Sequence, residues 1–271
     1  MQRLEELIQD HPDTANAIGA PGRDWMTYGD LKVLTLNVRQ ALRAAGIGAQ
    51  DRVAIVLPNG PEMAAAFVTV AQSATTAPLN LAYKEDEFAF YLEDLKAKAI
   101  IVETGYDGPA RRVAKRFDMI VIELTASNPA GSFTLSTTAT GSAADTVPAP
   151  DDVALILHTS GTTSRPKIVP LLQSNVAASA VNVRESLALT RDDCCLNVMP
   201  LFHIHGLIAA VSGSLAAGAS ISCAPGFDAL KFYGWLEEVD PSWYTAVPTM
   251  HQAILARAPR NAAIIENARL R

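Results

Sequence analysis

Short apolar runs rich in β-branched residues alternate with longer stretches of helical spacing, and this alternation constrains the fold more than any other feature of the chain. The runs read "DRVAIVLPN", "AKAIIVE", "DMIVIEL", "DVALILHTS", "CCLNVMP", "ASISCAP" and "WYTAVPT". Between them, "LKVLTLNVRQALRAAG", "EMAAAFVTVAQ", "DEFAFYLEDLKA", "NVAASAVNVRESLAL", "GLIAAVSGSLAAG" and "ALKFYGWLEEV" have helical spacing or helix-forming composition. Several of the runs are apolar on both faces, which a half-solvated strand would not be. Strands covered on both sides and separated by helices predict an α/β fold of stacked, layered subdomains with largely parallel sheets.

A chain of 271 residues, 49% apolar and 18% charged, can bury a sizeable core and is not disordered. The stretch 126–150, "ASNPAGSFTLSTTATGSAADTVPAP", is rich in Ser, Thr, Ala, Gly and Pro and has no apolar period. It reads as a linker or surface loop between an α/β subdomain at 1–125 and a second at 151–271. No internal repeat is visible.

The net charge of -6 suits a cytoplasmic protein, and no basic run interleaved with aromatics points to nucleic acid. Arg111, Arg112, Lys115 and Arg116 read as one solvated helix face. Cys194, Cys195 and Cys223 fit neither a disulfide framework nor a C-x-x-C metal site, and suit a reducing compartment. "MQRLEELIQD" does not read as a signal peptide. The uncharged stretch from Cys194 to Phe227 is interrupted by Pro200, His203, His205 and Gly206, so it reads as buried core rather than a transmembrane segment.

The stretch "HTSGTTSRPKIVP" sets hydroxyls beside a Gly and a Lys at the end of an apolar strand. It is not a Walker P-loop. Aligned from Gly161, Lys167 falls in place, but Pro166 has no N–H for a phosphate and Ile168 cannot ligate Mg²⁺. The residues still permit an anion cradle, with hydroxyls from Thr159, Ser160, Thr162 and Thr163 and converging amides at Gly161. An ordinary Ser/Thr-rich turn with Lys167 in solvent is equally compatible. Further on, "PLFHIHGL" puts His203 and His205 two apart, on one face if the piece is extended. With no third ligand nearby in sequence, the pair does not read as a zinc site, and histidines hydrogen-bonded at a strand end are the plain alternative.

"LILHTSGTTSRPKIVPLLQSNV" resembles the phosphate-binding signature of the acyl-adenylate-forming enzymes, with Ser164 and Ile168 where glycines are usual. "MTYGDL", "DRVAIVLPNGPEMAAAFV" and "APLNLAYKEDEFAFYLEDLKAKAIIVE" resemble the N-terminal region of that family, in its order, with Ser73-Ala74 replacing the usual Gly-Ala. "VMPLFHIHGL" resembles its acyl-pocket signature and, with "WYTAVPTMHQAIL", looks most like the oxalate–CoA ligase branch of the acyl-CoA synthetases.

The resemblance implies ATP-dependent activation of a small carboxylic acid through an acyl-adenylate and its transfer to coenzyme A, with Mg²⁺. It implies that Thr159, Ser160, Gly161, Thr162 and Thr163 hold the ATP phosphates with Lys167 near them, and that His203 and His205 line the acyl and CoA passage. The family's adenine, ribose and C-terminal lysine signatures do not occur in the chain, so no catalytic residue is assigned to it. The expectation is an incomplete synthetase, or a non-catalytic ATP- or acyl-binding part of a split or truncated one, prone to self-association.

Overall fold

A computed structural model describes residues 2–159 and 166–271. Two short strands, β1 (Asn16–Ala20) and β2 (Arg23–Thr27), lead into helix α1 (Tyr28–Ala44). Thr27 and Asp30 form a capping box there, each side chain accepting from the other's backbone N–H, which is why the helix starts within "MTYGDL". Strands β3 (Arg52–Val56), β4 (Thr75–Pro78), β5 (Ala99–Glu103) and β6 (Ile120–Ala126) then alternate with α2 (Pro61–Ala71), α3 (Glu85–Leu95) and α4 (Pro109–Arg116). Next come β7 (Phe133–Ser136), β8 (Val153–Thr159), β9 (Lys167–Leu172) and α5 (Gln173–Ser186). The remainder is β10 (Cys194–Asn197), a π-helical segment His205–Ser212 running into α6 (Gly213–Ala217), β11 (Ser220–Cys223), α7 (Phe232–Val239), β12 (Trp243–Thr245), α8 (Pro248–Leu255) and α9 (Ala262–Asn267).

Among the described residues the strands form a seven-stranded sheet, β7-β6-β5-β3-β4-β8-β9, and a five-stranded sheet, β12-β10-β11-β1-β2. The inner pairs of both are parallel, and the antiparallel pairs are β6–β7, β8–β9 and β1–β2. The expected α/β class with largely parallel sheets is what forms. The expected boundary at 126–150 needs correction. Both sheets take strands from either side of it, so it does not divide them, and Phe133–Ser136 within it pairs with β6. The sheet edge supplied the partner that the composition did not reveal. The buried Arg43 guanidinium also ties this stretch down, donating to the carbonyls of Ile47, Ser73 and Thr146 at 2.7–2.8 Å.

Side-chain alternation splits the core into layers. On β3, Val53 and Ile55 enter the core shared by the two sheets, while Ala54 and Val56 meet α3 and α4 on the far side. On β10, Cys195 joins the shared core and Leu196 packs toward α7 and α8. Helix α2, "PEMAAAFVTVA", is apolar nearly all round because it touches strands of both sheets. Its four alanines let the backbones approach, and Phe67 fills the space between. Cys194, Cys195 and Cys223 are free and buried, and burial pushes each thiol up. The basic cluster on α4 is not merely solvated: Arg111 pairs with Glu123, and Arg112 and Arg116 both pair with Glu85. No helix among the described residues is long and apolar enough to cross a membrane.

Candidate active site

In open parallel sheets, ligands bind beyond the carboxyl ends of the strands. β4 and β8 run parallel, so β8 delivers Thr159 to the same edge at which β4 releases Asn80. Thr159 and Lys167 form the last pair of the β8–β9 ladder, both exposed. Ser160, Gly161, Thr162 and Thr163 lie outside the described residues. The end of β8 is held from the side. His158 Nε2 lies 3.0 Å from Asp94 Oδ2 on α3, and its ring meets Tyr91 edge-on, with Tyr91 stacked on Tyr83.

The histidine pair sits beyond the carboxyl end of β10. The condition for one shared face, an extended piece, is not met: Pro200–His203 form a turn, and His205 opens the π-helical segment. The wide turn is packed tightly at its start. A Cβ at Gly206 would lie 2.6 Å from the Pro200 carbonyl oxygen, so "HIHGL" requires glycine there. His205 Nε2 lies 2.6 Å from Thr245 Oγ1 at the end of β12. His203 is more exposed and its ring packs on Phe202 at 4.3 Å between centroids. Partial burial pushes its imidazole below the ordinary value, which keeps it neutral at pH 7.

Asn59, three residues past β3, joins the two edges. Its Oδ1 accepts from Leu201 N–H at 2.7 Å and its Nδ2 donates to the Ala224 carbonyl at 2.9 Å, the segments that follow β10 and β11. Asn197 supports the same corner, accepting from Met199 N–H and donating to Met199 O. A cavity of about 340 Å³ opens between the sheets here, bounded by Leu57, Met63, Asn80, Leu81, Leu201 and Phe202. A wider cleft, about 1000 Å³, lies at the amino ends of β10 and β11, opposite the histidines. Thr159 lies at the carboxyl end of β8 with Lys167 beside it, and His203 and His205 follow the carboxyl end of β10, so the carboxyl ends of the strands are taken as the candidate site.

Asn59 and Thr245 were not singled out from the sequence. Asn59 read as the end of a strand and Thr245 as one residue within another, and only the crossing of the chain brings each to its partners. The fold is that of an α/β protein with two mixed, mostly parallel sheets, joined at this edge by Asn59.

The chain belongs to the AMP-binding enzyme family, whose profile matches residues 4–270. It is 39% identical over 262 residues to an oxalate–CoA ligase of Arabidopsis thaliana, covering 94% of this chain and 51% of that protein. To an oxalate–CoA ligase of Saccharomyces cerevisiae it is 34% identical over 253 residues, covering 84% and 46% respectively. The chain thus spans about half the length of the curated relatives it matches. Its fold is like that of a solved acyl-CoA synthetase from Brucella canis, with a TM-score of 0.80 at 24% identity over 99% of this chain and 51% of that one.

Proposed function

We propose that this chain carries the triphosphate and acid-binding edge of an AMP-forming acid–thiol ligase that makes an acyl-CoA from a small carboxylic acid. The observation that carries this is the geometry of one edge. The paired Thr159 and Lys167, which bracket the Ser/Thr-rich stretch, and a corner bearing His203 and His205 belong to two sheets clipped together by Asn59. Kinship with two oxalate–CoA ligases supports the same reading.

In the first half-reaction a carboxylate oxygen bonds to the α-phosphorus of ATP and pyrophosphate leaves. In the second the sulfur of coenzyme A bonds to the acyl carbon and AMP leaves with the bonding electrons. Two anions must meet in the first step, so the hydroxyls and amides between Thr159 and Lys167 supply donors to the phosphates and Lys167 a cation beside them. Ser160, Gly161, Thr162 and Thr163 hold the phosphates in this reading. His203 and His205 offer imidazole N–H donors to the acid, which suits a small dianion such as oxalate better than an alkyl chain. Among the described residues no three His, Cys, Asp or Glu side chains cluster as a ready metal site, so Mg²⁺ would enter with the phosphates.

The test is ATP–pyrophosphate exchange driven by a panel of acids from oxalate to long-chain fatty acids. Each hydrogen bond to a charged phosphate is worth about 1.5–3 kcal/mol, so Thr162→Ala with Thr163→Ala should weaken ATP use well over tenfold without unfolding the protein. His205→Ala should shift preference among acids more than it changes the KM for ATP. Unchanged ATP dependence in the double variant would return the turn to an ordinary strand connection. Nucleotide binding with no exchange would describe a binding module instead.

A further inference from the structure

The loop between β10 and the π-helical segment leaves the five-stranded sheet and returns to almost the same point. It departs from Asn197, which is in register with Thr245 across the β10–β12 pair. It comes back at His205, whose Nε2 meets the Thr245 hydroxyl at 2.6 Å. Thr245 therefore closes the loop that carries both histidines. The contact is half-buried and spans forty positions of sequence, so neither a local turn nor a helix cap accounts for it. β12 is the edge strand of its sheet and only three residues long, so its last side chain is held mainly by what it touches.

An imidazole has two ring nitrogens, and a hydrogen bond at one determines which is left for chemistry. Nε2 is taken by Thr245. Among the described residues no hydrogen bond engages Nδ1. From this geometry we infer that Thr245 is a positioning residue for acid recognition: its hydroxyl anchors His205 through Nε2 and reserves Nδ1 for a carboxylate oxygen of the substrate. The inference rests on the reading above that His205 lines the acid pocket, and it deepens that reading by naming the atom that meets the acid and the residue that aims it. Thr245 touches no substrate. A valine in its place keeps the shape and removes only the anchor.

The experiment compares Thr245→Val, Thr245→Ser and His205→Ala in acyl-CoA formation with oxalate by the complete ligase that contains this chain. It adds nitrogen-15 NMR of histidine-labelled protein titrated with oxalate, with the five histidines assigned by substitution. Losing one net hydrogen bond of about 1–1.5 kcal/mol corresponds to roughly five- to tenfold. Thr245→Val should raise the KM for oxalate by about that factor and leave the KM for ATP unchanged. Thr245→Ser, which restores the hydroxyl, should recover most of the loss. In the spectra, Thr245→Val should move the Nε2 resonance of His205, and oxalate should move Nδ1.

If His205→Ala changes acid preference but Thr245→Val does not, the inference is overturned while the acid-pocket reading stands. The same holds if oxalate shifts Nε2 in place of Nδ1. If neither substitution alters acid use and oxalate moves neither nitrogen, the acid-pocket reading itself falls and this inference falls with it.

Discussion

The two sheets contribute one side of the site each, and they are held together by different means. In the seven-stranded sheet, β3 and β5 sit centrally with helices on both faces, and backbone ladders plus apolar burial fix them. The five-stranded sheet is built from strands of three to five residues, and polar side chains secure its ends. Asp193 accepts from the Ser242 hydroxyl at 2.7 Å and from Arg271, and the Tyr28 hydroxyl donates to the Ala219 carbonyl at 2.8 Å. Asn59 then ties its loops to β3. β8, seven residues long and laddered to β9 up to Thr159 and Lys167, carries its end residues on backbone hydrogen bonds. Short strands leave more to single hydrogen bonds, and the histidine corner depends on them.

The tryptophans make the contrast measurable. All three belong to the five-stranded side: Trp25 in β2, Trp235 on α7 and Trp243 in β12. Tryptophan fluorescence therefore reports that side, whereas far-ultraviolet circular dichroism reports both. The largest expected effect is from Phe67→Ala on α2, which packs on both sheets. Emptying that site should cost about 3–5 kcal/mol, with the fluorescence and dichroism transitions moving together. Transitions that separate would show that the sheets do not share one cooperative core.

A smaller and more one-sided loss is expected from Asn59→Leu, which strands the Leu201 N–H and the Ala224 carbonyl. About 1–3 kcal/mol should be lost, with the fluorescence midpoint falling further than the dichroism midpoint. Equal shifts would mean that the clip stabilises the whole molecule rather than the corner.

The smallest effect concerns pH. Burial raises the Asp193 carboxyl, but the Ser242 hydroxyl, the Thr190 amide and hydroxyl, and Arg271 together bring it below the ordinary value. A depressed folded-state pKa means the unfolded chain binds more protons near pH 4. The stabilisation is then full above the unfolded value of about 3.9 and fades as pH falls through the lower folded one. Asp193→Asn should lower the urea midpoint at pH 7 and flatten its decline below about pH 4, seen mainly in fluorescence. A variant with the same acid slope as the parent would remove Asp193 from the account.

Much of this architecture was legible in the sequence. The doubly apolar runs matched parallel strands because covering both faces of a strand leaves no position for a polar residue. The Thr27–Asp30 capping box that starts α1 was not singled out from the sequence, although a cap is a local exchange of hydrogen bonds. Phe133–Ser136 was hidden in a Ser/Thr-rich stretch because an edge strand is half-solvated and takes its identity from its neighbour, here β6. The geometry of the histidine pair was also out of reach. Whether His-Ile-His is extended or wound depends on the packing of Gly206 against Pro200, a contact of 2.6 Å to any added Cβ.

The sequence by itself determined the fold class, the apolar runs that form β3, β5, β6, β8, β10, β11 and β12, and the polar stretch between Thr159 and Lys167, since these depend on periodicity and residue type along the chain. Only the tertiary structure decided that the strands sort into two sheets drawing on both halves of the chain, that Asn59 joins their edges, and that Thr245 meets His205. Those outcomes rest on contacts between residues far apart in sequence, whose hydrogen bonds form only when packing of the shared core has already brought the two sheets to one edge.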